Sequence, residues 1–123
     1  MILVDTSIWV DHLRIGDDLL QDLLAKEQVL LHPFVFGELA LGGLHHRAGT
    51  LFQLRQLPTV NVAHHDEVMR LVEQEILDGL GLSYIDAHVL AATRLTPGAS
   101  LWSRDKSLSA AAEKLSIAAR VTH

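Results

Sequence analysis

Apolar and polar positions alternate in blocks along the chain, first short solid runs and then helical stripes. Ile2-Leu-Val4 is an apolar run short enough for a buried strand. Asp5-Thr-Ser7 supplies helix-start residues before Ile8, Trp9, Val10 and Leu13. Gly16 interrupts, and Asp17-Asp18 open a second helix with the stripe Leu19, Leu20, Leu23, Leu24. Val29-Leu-Leu31 predicts another strand, and Pro33 suits the first turn of a helix running to about Gly42-Gly43. A helix over roughly Arg47 to Leu57 stops at Pro58, and Val60-Asn-Val62 predicts a third strand. From Asp66 to Leu80 the apolar positions Val68, Leu71, Val72, Ile76 and Leu80 keep helical spacing. Ser83 starts a helix that Pro97-Gly98 ends. Ala99 to Ser103 and Ile117 to Val121 predict the last two strands, with a helix over Lys106 to Leu115 between them.

Strands alternating with helices imply right-handed crossovers, a mostly parallel sheet of about five strands, and helices on both faces. The expected fold class is therefore α/β, a three-layer α/β/α sandwich. No repeat, linker or low-complexity tract divides the chain, so residues 1–123 are expected to form one domain. Ligands in such sheets bind beyond the carboxyl ends of the strands. Asp5 and Asp105 follow two of those ends.

Composition narrows the function classes. The chain lacks cysteine, which excludes disulfides and thiolate metal sites. No apolar run approaches the roughly 20 residues of a membrane span, and the first five residues lack the basic start of a signal peptide. A cytoplasmic protein without membrane association is expected. The net charge of −5 argues against a protein that simply coats nucleic acid. However, five of the basic residues (Arg94, Arg104, Lys106, Lys114, Arg120) lie in the last part of the chain. A carboxylate pocket that holds cations still accommodates a polyanion, because the ion changes the local sign.

Four acids carry the candidate chemistry, each with a structural competitor. Asp5 is a possible helix cap, although Thr6 and Ser7 are equally good caps and stand nearer the helix. Glu38 is the only charge in Pro33-Phe-Val-Phe-Gly-Glu-Leu-Ala-Leu-Gly42, and its helical neighbours include Phe34, Val35 and Leu41. A carboxylate buried among such groups is costly unless a cation compensates it; the alternative is an exposed face that Glu38 merely solubilises. Ser83-Tyr-Ile-Asp86 has capping-box spacing, so capping competes with function at Asp86. Asp105 is a candidate cap for the last helix, flanked by Arg104 and Lys106 as candidate phosphate contacts. Mg2+ and Mn2+ prefer such hard oxygen ligands.

The run Val4-Asp5-Thr6-Ser7-Ile8-Trp9, the lone Glu38, Asp86-Ala-His-Val-Leu-Ala-Ala92 and Trp102-Ser103-Arg104-Asp105 resemble the PIN domain in order and spacing. More narrowly they resemble the free-standing VapC toxins of toxin–antitoxin pairs, over essentially the whole chain. That resemblance implies a parallel five-stranded sandwich, a homodimer, and hydrolysis of RNA with Mg2+ or Mn2+. Carried over by position, Asp5, Glu38, Asp86 and Asp105 are the expected metal-site carboxylates, with Asp5 and Asp86 the principal ligands. Ser103 matches a supporting hydroxyl, and Thr6 or Ser7 helps hold the first Asp. A VapB-type antitoxin is the implied partner. One position departs: many members carry another acid where this chain has Ser107, which thins the acidic cluster and puts a second metal in doubt.

Other readings fare less well. An Asp-nucleophile phosphatase needs a second Asp where Ser7 stands, and a phospho-acceptor domain needs an acidic pair beside its acceptor, not at Asp17-Asp18. A PIN-like domain that binds RNA or protein without cutting, and a nuclease of RNA maturation, remain as alternatives. The eight histidines include the adjacent pairs His45-His46 and His64-His65, which lack zinc spacing. Most are expected at the surface or in loops, with His88 on a helix surface or in packing. Trp9 and Trp102 are expected in the core.

Overall fold

The computed structural model describes residues 1–121. Its centre is a parallel sheet of three strands, β1 (Ile2–Val4), β2 (Val29–Leu30) and β3 (Ser100–Trp102), in the order β2-β1-β3. Seven helices surround it among the described residues: α1 (Thr6–Ile15), α2 (Asp18–Ala25), α3 (Pro33–Leu41), α4 (Arg47–Arg55), α5 (His65–Glu75), α6 (Tyr84–Leu95) and α7 (Lys106–Lys114).

The expected five strands are thus corrected to three. Of the segments predicted as outer strands, Ile117 to Val121 makes a single parallel bridge, Ala118 beside Leu101, while Val60 to Val62 only follows one, Thr59 beside Leu31. Two backbone hydrogen bonds hold each one, for example Val60 N to Leu31 O at 3.1 Å and Ala119 N to Leu101 O at 2.8 Å. The first ladder stops because Asn61 is captured by the end of α6. Its amide donates to Thr96 Oγ1 at 2.8 Å, and its side chain donates to Leu95 O at 2.9 Å. The second follows Ser116, whose left-handed φ of 60° turns the chain immediately before the bridge.

Direction along the sheet decides which helices share a face. From β1 the chain steps to β2 and then to the Thr59 bridge; it returns across the sheet to β3 and ends at the Ala118 bridge. Right-handed crossovers put connections of opposite direction on opposite faces. That assigns α1–α4 to one face and α5–α7 to the other. The packing divides the same way, with α1 on α3 and α3 on α4, and with α5 and α7 on α6.

One apolar cluster runs through both layers, from Leu3 and Val4 of β1 to Leu20, Val35, Val68, Leu90, Leu101 and Leu108. Trp9 and Trp102 belong to it, as expected. Helix α6 is buried continuously from Ala87 to Thr93, because its small alanines let it lie close against β3 and the neighbouring helices. Thr93 satisfies its hydroxyl internally, donating to Val89 O at 2.8 Å.

Helix α5 ends five residues before the predicted Leu80. Ile76 adopts a left-handed φ of 53°, and Lys114 of α7 donates to the carbonyl oxygens of Glu75 (2.7 Å) and Ile76 (3.3 Å). A lysine that hydrogen-bonds the last carbonyls satisfies groups the helix leaves without a partner. The turn exposes Ile76 and Leu80 and buries Leu77 in their place.

Candidate active site

The C-terminal ends of β1 and β3 lie side by side, and their chains leave toward opposite faces, into α1 and α7. In an open parallel sheet this switch point is where a crevice forms. Asp5 stands there, 9% exposed, with its amide still in register, donating to Trp102 O at 2.9 Å. It occupies the N-cap position of α1 but makes no side-chain cap. Its Oδ2 instead accepts from Ser7 Oγ at 2.9 Å and from Ser103 Oγ at 2.8 Å. Each hydroxyl has one proton and gives it to Asp5. Each also accepts a backbone amide: Ser7 from Arg104 N at 3.1 Å, and Ser103 from Asp105 N at 3.0 Å. The two expected supporting serines therefore lock the loop after β1 to the loop after β3.

The other acids approach from neighbouring elements. Thr6 donates to Glu38 Oε1 at 2.7 Å, which joins α3 to the residue beside Asp5. Asp105 caps α7, its Oδ1 accepting from Leu108 N at 2.9 Å. Asp86 completes a capping box: Oδ2 accepts from Ser83 N, and Ser83 Oγ accepts from Asp86 N, both at 3.0 Å. Helix α6 runs back along β3 after a tight turn, so its first turn belongs to the sheet edge that carries Asp5. Two contacts agree with that placement. The Phe34 ring on α3 lies 4.7 Å from the His88 ring on α6, and Gly81, ahead of α6, approaches Ser107 so closely that a Cβ there would meet its Oγ at 3.1 Å.

All four carboxylates share one feature. One oxygen of each is held by a protein donor, while the other accepts no hydrogen bond among the described residues. None of the four forms an ion pair there either. Free oxygens of hard donors without a cationic partner suit Mg2+ or Mn2+. Yet no three His, Asp or Glu side chains among the described residues stand close enough to hold one ion. An ion at this edge would therefore take at most two carboxylates directly and complete its shell with water, which Mg2+ tolerates well.

Two expectations need correction here. Glu38 was argued from burial, but it is exposed, so its charge costs little by itself and its claim rests on Thr6 and its position. Arg104, expected to contact phosphate, instead donates to Asp11 Oδ2 at 2.6 Å and Asp17 Oδ2 at 2.5 Å. Both terminal nitrogens are thereby committed to joining α1 and the start of α2 to the β3–α7 loop. Lys106 is exposed beside the site. Among the histidines, His88 packs in the interior, one of the two placements expected of it, and His32 is buried as well. His32 accepts from Phe34 N at 2.9 Å as the cap of α3. Burial, with His88 nearby, lowers its pKa to about 4; burial, then His65, lowers that of His88. Spacing gave no signal for either, since they meet only across the fold. His123 lies outside the described residues.

The sequence model of the PIN domain matches residues 2–114. The chain belongs to the PIN-domain family. Two curated relatives sharpen the comparison. This PIN chain is 46% identical over 118 residues to "Ribonuclease VapC32" of Mycobacterium tuberculosis strain CDC 1551. The match covers 96% of this chain and 95% of the relative. The protein of the same name from strain H37Rv matches to the same extent.

Proposed function

We propose that this chain is an endoribonuclease of the VapC kind, dependent on Mg2+ or Mn2+, the whole chain acting as one nuclease domain. The carrying observation is Asp5 at the β1–β3 switch point, one oxygen held by Ser7 and Ser103 and the other left over, in a chain 46% identical to a named ribonuclease. Asp5 and Asp86 are the proposed principal ligands, with Glu38 and Asp105 acting directly or through water. An ion bound there supplies positive charge to the phosphoryl oxygens and acidifies water for attack on a phosphodiester.

The chain's own residues prepare that edge. Ser7 and Ser103 fix the rotamer of Asp5 and keep its free oxygen facing away from their hydroxyls. The capping bonds do the same for Asp86 and Asp105, so helix starts orient the acids at no cost in extra loops. Thr6 steers Glu38, which as an exposed side chain would otherwise sample many rotamers. Lys106 is the remaining candidate for a phosphate contact.

A VapB-type antitoxin is the proposed partner. A cleft of about 350 Å³ lined by Val10, Leu13, Leu39 and Leu44 opens beside Glu38, and apolar side chains of a bound segment would fill it. A homodimer and a cytoplasmic location complete the proposal. Among the described residues no helix is long and apolar enough to cross a membrane.

The test is a map of cellular RNA ends after induction, beside an Asp86→Asn control. Discrete new 5′-phosphate ends absent from the control are expected. Cyclic-phosphate ends would mean attack by the RNA's own 2′-hydroxyl and would overturn the metal-site assignment. No new ends from a folded, abundant protein would favour a PIN domain that binds without cutting.

A further inference from the structure

This chain has six aromatic residues of the Phe, Trp and Tyr kinds, and where they are exposed is informative. Both tryptophans are in the core, and Phe36 is partly buried against it. Of the exposed ones, Phe52 is on α4, while Phe34 (37% exposed) and Tyr84 (48% exposed) both pack on the ring of buried His88. Their centroids lie 4.7 Å and 4.6 Å from it, and both contacts are edge-on. Tyr84 is fixed further by a 2.6 Å hydrogen bond between its hydroxyl and His65 Nδ1, the rings 5.6 Å apart. The result is an aromatic strip across the first turns of α3, α6 and α5.

The strip adjoins the candidate acids. Phe34 stands one helical turn before Glu38, on the same face of α3. Tyr84 stands two residues before Asp86, in the same first turn. Aromatic rings held open beside a phosphodiester site suit the faces of unpaired bases, which single-strand binders stack on such side chains. A duplex offers no free base faces to such a strip.

We propose that Phe34 and Tyr84, seated on His88, form a stacking platform that holds the bases flanking the scissile phosphate. This rests on the ribonuclease reading and adds to it the residues that position the bases. Tyr84 contributes its ring, and the hydroxyl serves only to orient it through His65.

The test uses a single-stranded oligoribonucleotide carrying 2-aminopurine, whose fluorescence is quenched on stacking, with the intact protein. Quenching on binding is expected, with affinity about tenfold weaker in Phe34→Leu and in Tyr84→Leu. Tyr84→Phe should bind within about twofold of the wild type, because the ring remains; thermal melts of both leucine variants close to the wild type show that their loss of binding is not loss of fold. Annealing the same strand into a duplex should abolish quenching. If RNA is bound and cut without quenching, and the leucine variants bind it normally, the platform is wrong while the ribonuclease stands. If the leucine variants lose only a protein partner and not RNA, the strip is a protein-docking surface and the proposal fails. If RNA is neither bound nor cut, the ribonuclease reading fails with it.

Discussion

At position 5 a carboxylate that ordinarily accepts amides from the first turn of its own helix accepts two hydroxyls from different loops instead. The consequence is a buried acid whose orientation depends on Ser103 more than on local backbone. Hydrogen bonds to charged groups contribute roughly 1.5–3 kcal/mol each. Ser103→Ala removes one from Asp5 and also strips the amide of Asp105 of its acceptor. We expect it to lower stability by about 1–2 kcal/mol and to weaken Mg2+ affinity, seen as a higher Mg2+ concentration for half-maximal cleavage. Ser103→Thr keeps the hydroxyl and should retain most activity; equal loss in both variants would show that the hydroxyl is not what matters. Asp5, Asp105 and the serines stood out in the sequence because strand-end acids next to hydroxyls form a local pattern. Glu38 was singled out on a false premise: the apolar sequence around it suggested burial, yet Phe34 and Leu41 are themselves exposed. Sequence neighbours on a helix report burial only when the opposite face is known.

Among the elements, helix starts were legible and strand ends were not. Capping residues act locally, so Asp17, Ser83 and Asp105 were found where they cap α2, α6 and α7. Where an element stops is settled by distant groups, such as Lys114 on the carbonyls of α5 or the end of α6 on Asn61. Arg104 belongs to the same class. Its neighbours in sequence suggested phosphate, but its partners are 93 and 87 residues away. It also lies over the Trp102 ring, 5.9 Å from its centroid. Asp17, which caps α2 through Leu20 N at 2.9 Å, uses its other oxygen for Arg104. Arg104→Ala should therefore lower the urea midpoint, by about 1–2 kcal/mol in stability for a partly buried, two-ended pair. The denaturant slope should be unchanged. A variant as stable as the wild type would show that the pair is only a surface contact.

For the molecule as a whole, alternation of strands and helices gave the parallel α/β plan, and the order of the strands then placed the crevice. Strand number was overestimated because one bridged residue and a short strand share the same apolar signature. The buried histidines add a dependence on pH that belongs to the global fold. His32 has a folded-state pKa of about 4 against 6.5 unfolded, so it resists protonation in the native state. The stability that this neutral, buried ring contributes is complete above about pH 6.5. It is lost as pH falls from there toward 4, by about 3 kcal/mol in total. His88 acts in the same direction. Thermal melts across that window should show a steep acid loss in the wild type and a shallower one in His32→Asn, which retains a side-chain cap. Parallel slopes would mean that His32 is hydrated or paired in the native state.

The central claim, an acid edge that cuts RNA with a divalent ion, is tested most directly with purified protein on a single-stranded RNA. Cleavage would be followed across a Mg2+ titration, in EDTA, and in Asp5→Asn. Asparagine still accepts from Ser7 and Ser103, so the variant should melt near the wild type. We predict cleavage that rises with Mg2+, stops in EDTA, and falls at least a hundredfold in Asp5→Asn, as expected when a group stabilising transition-state charge is removed. Undiminished cleavage in EDTA, or in Asp5→Asn, would contradict the account.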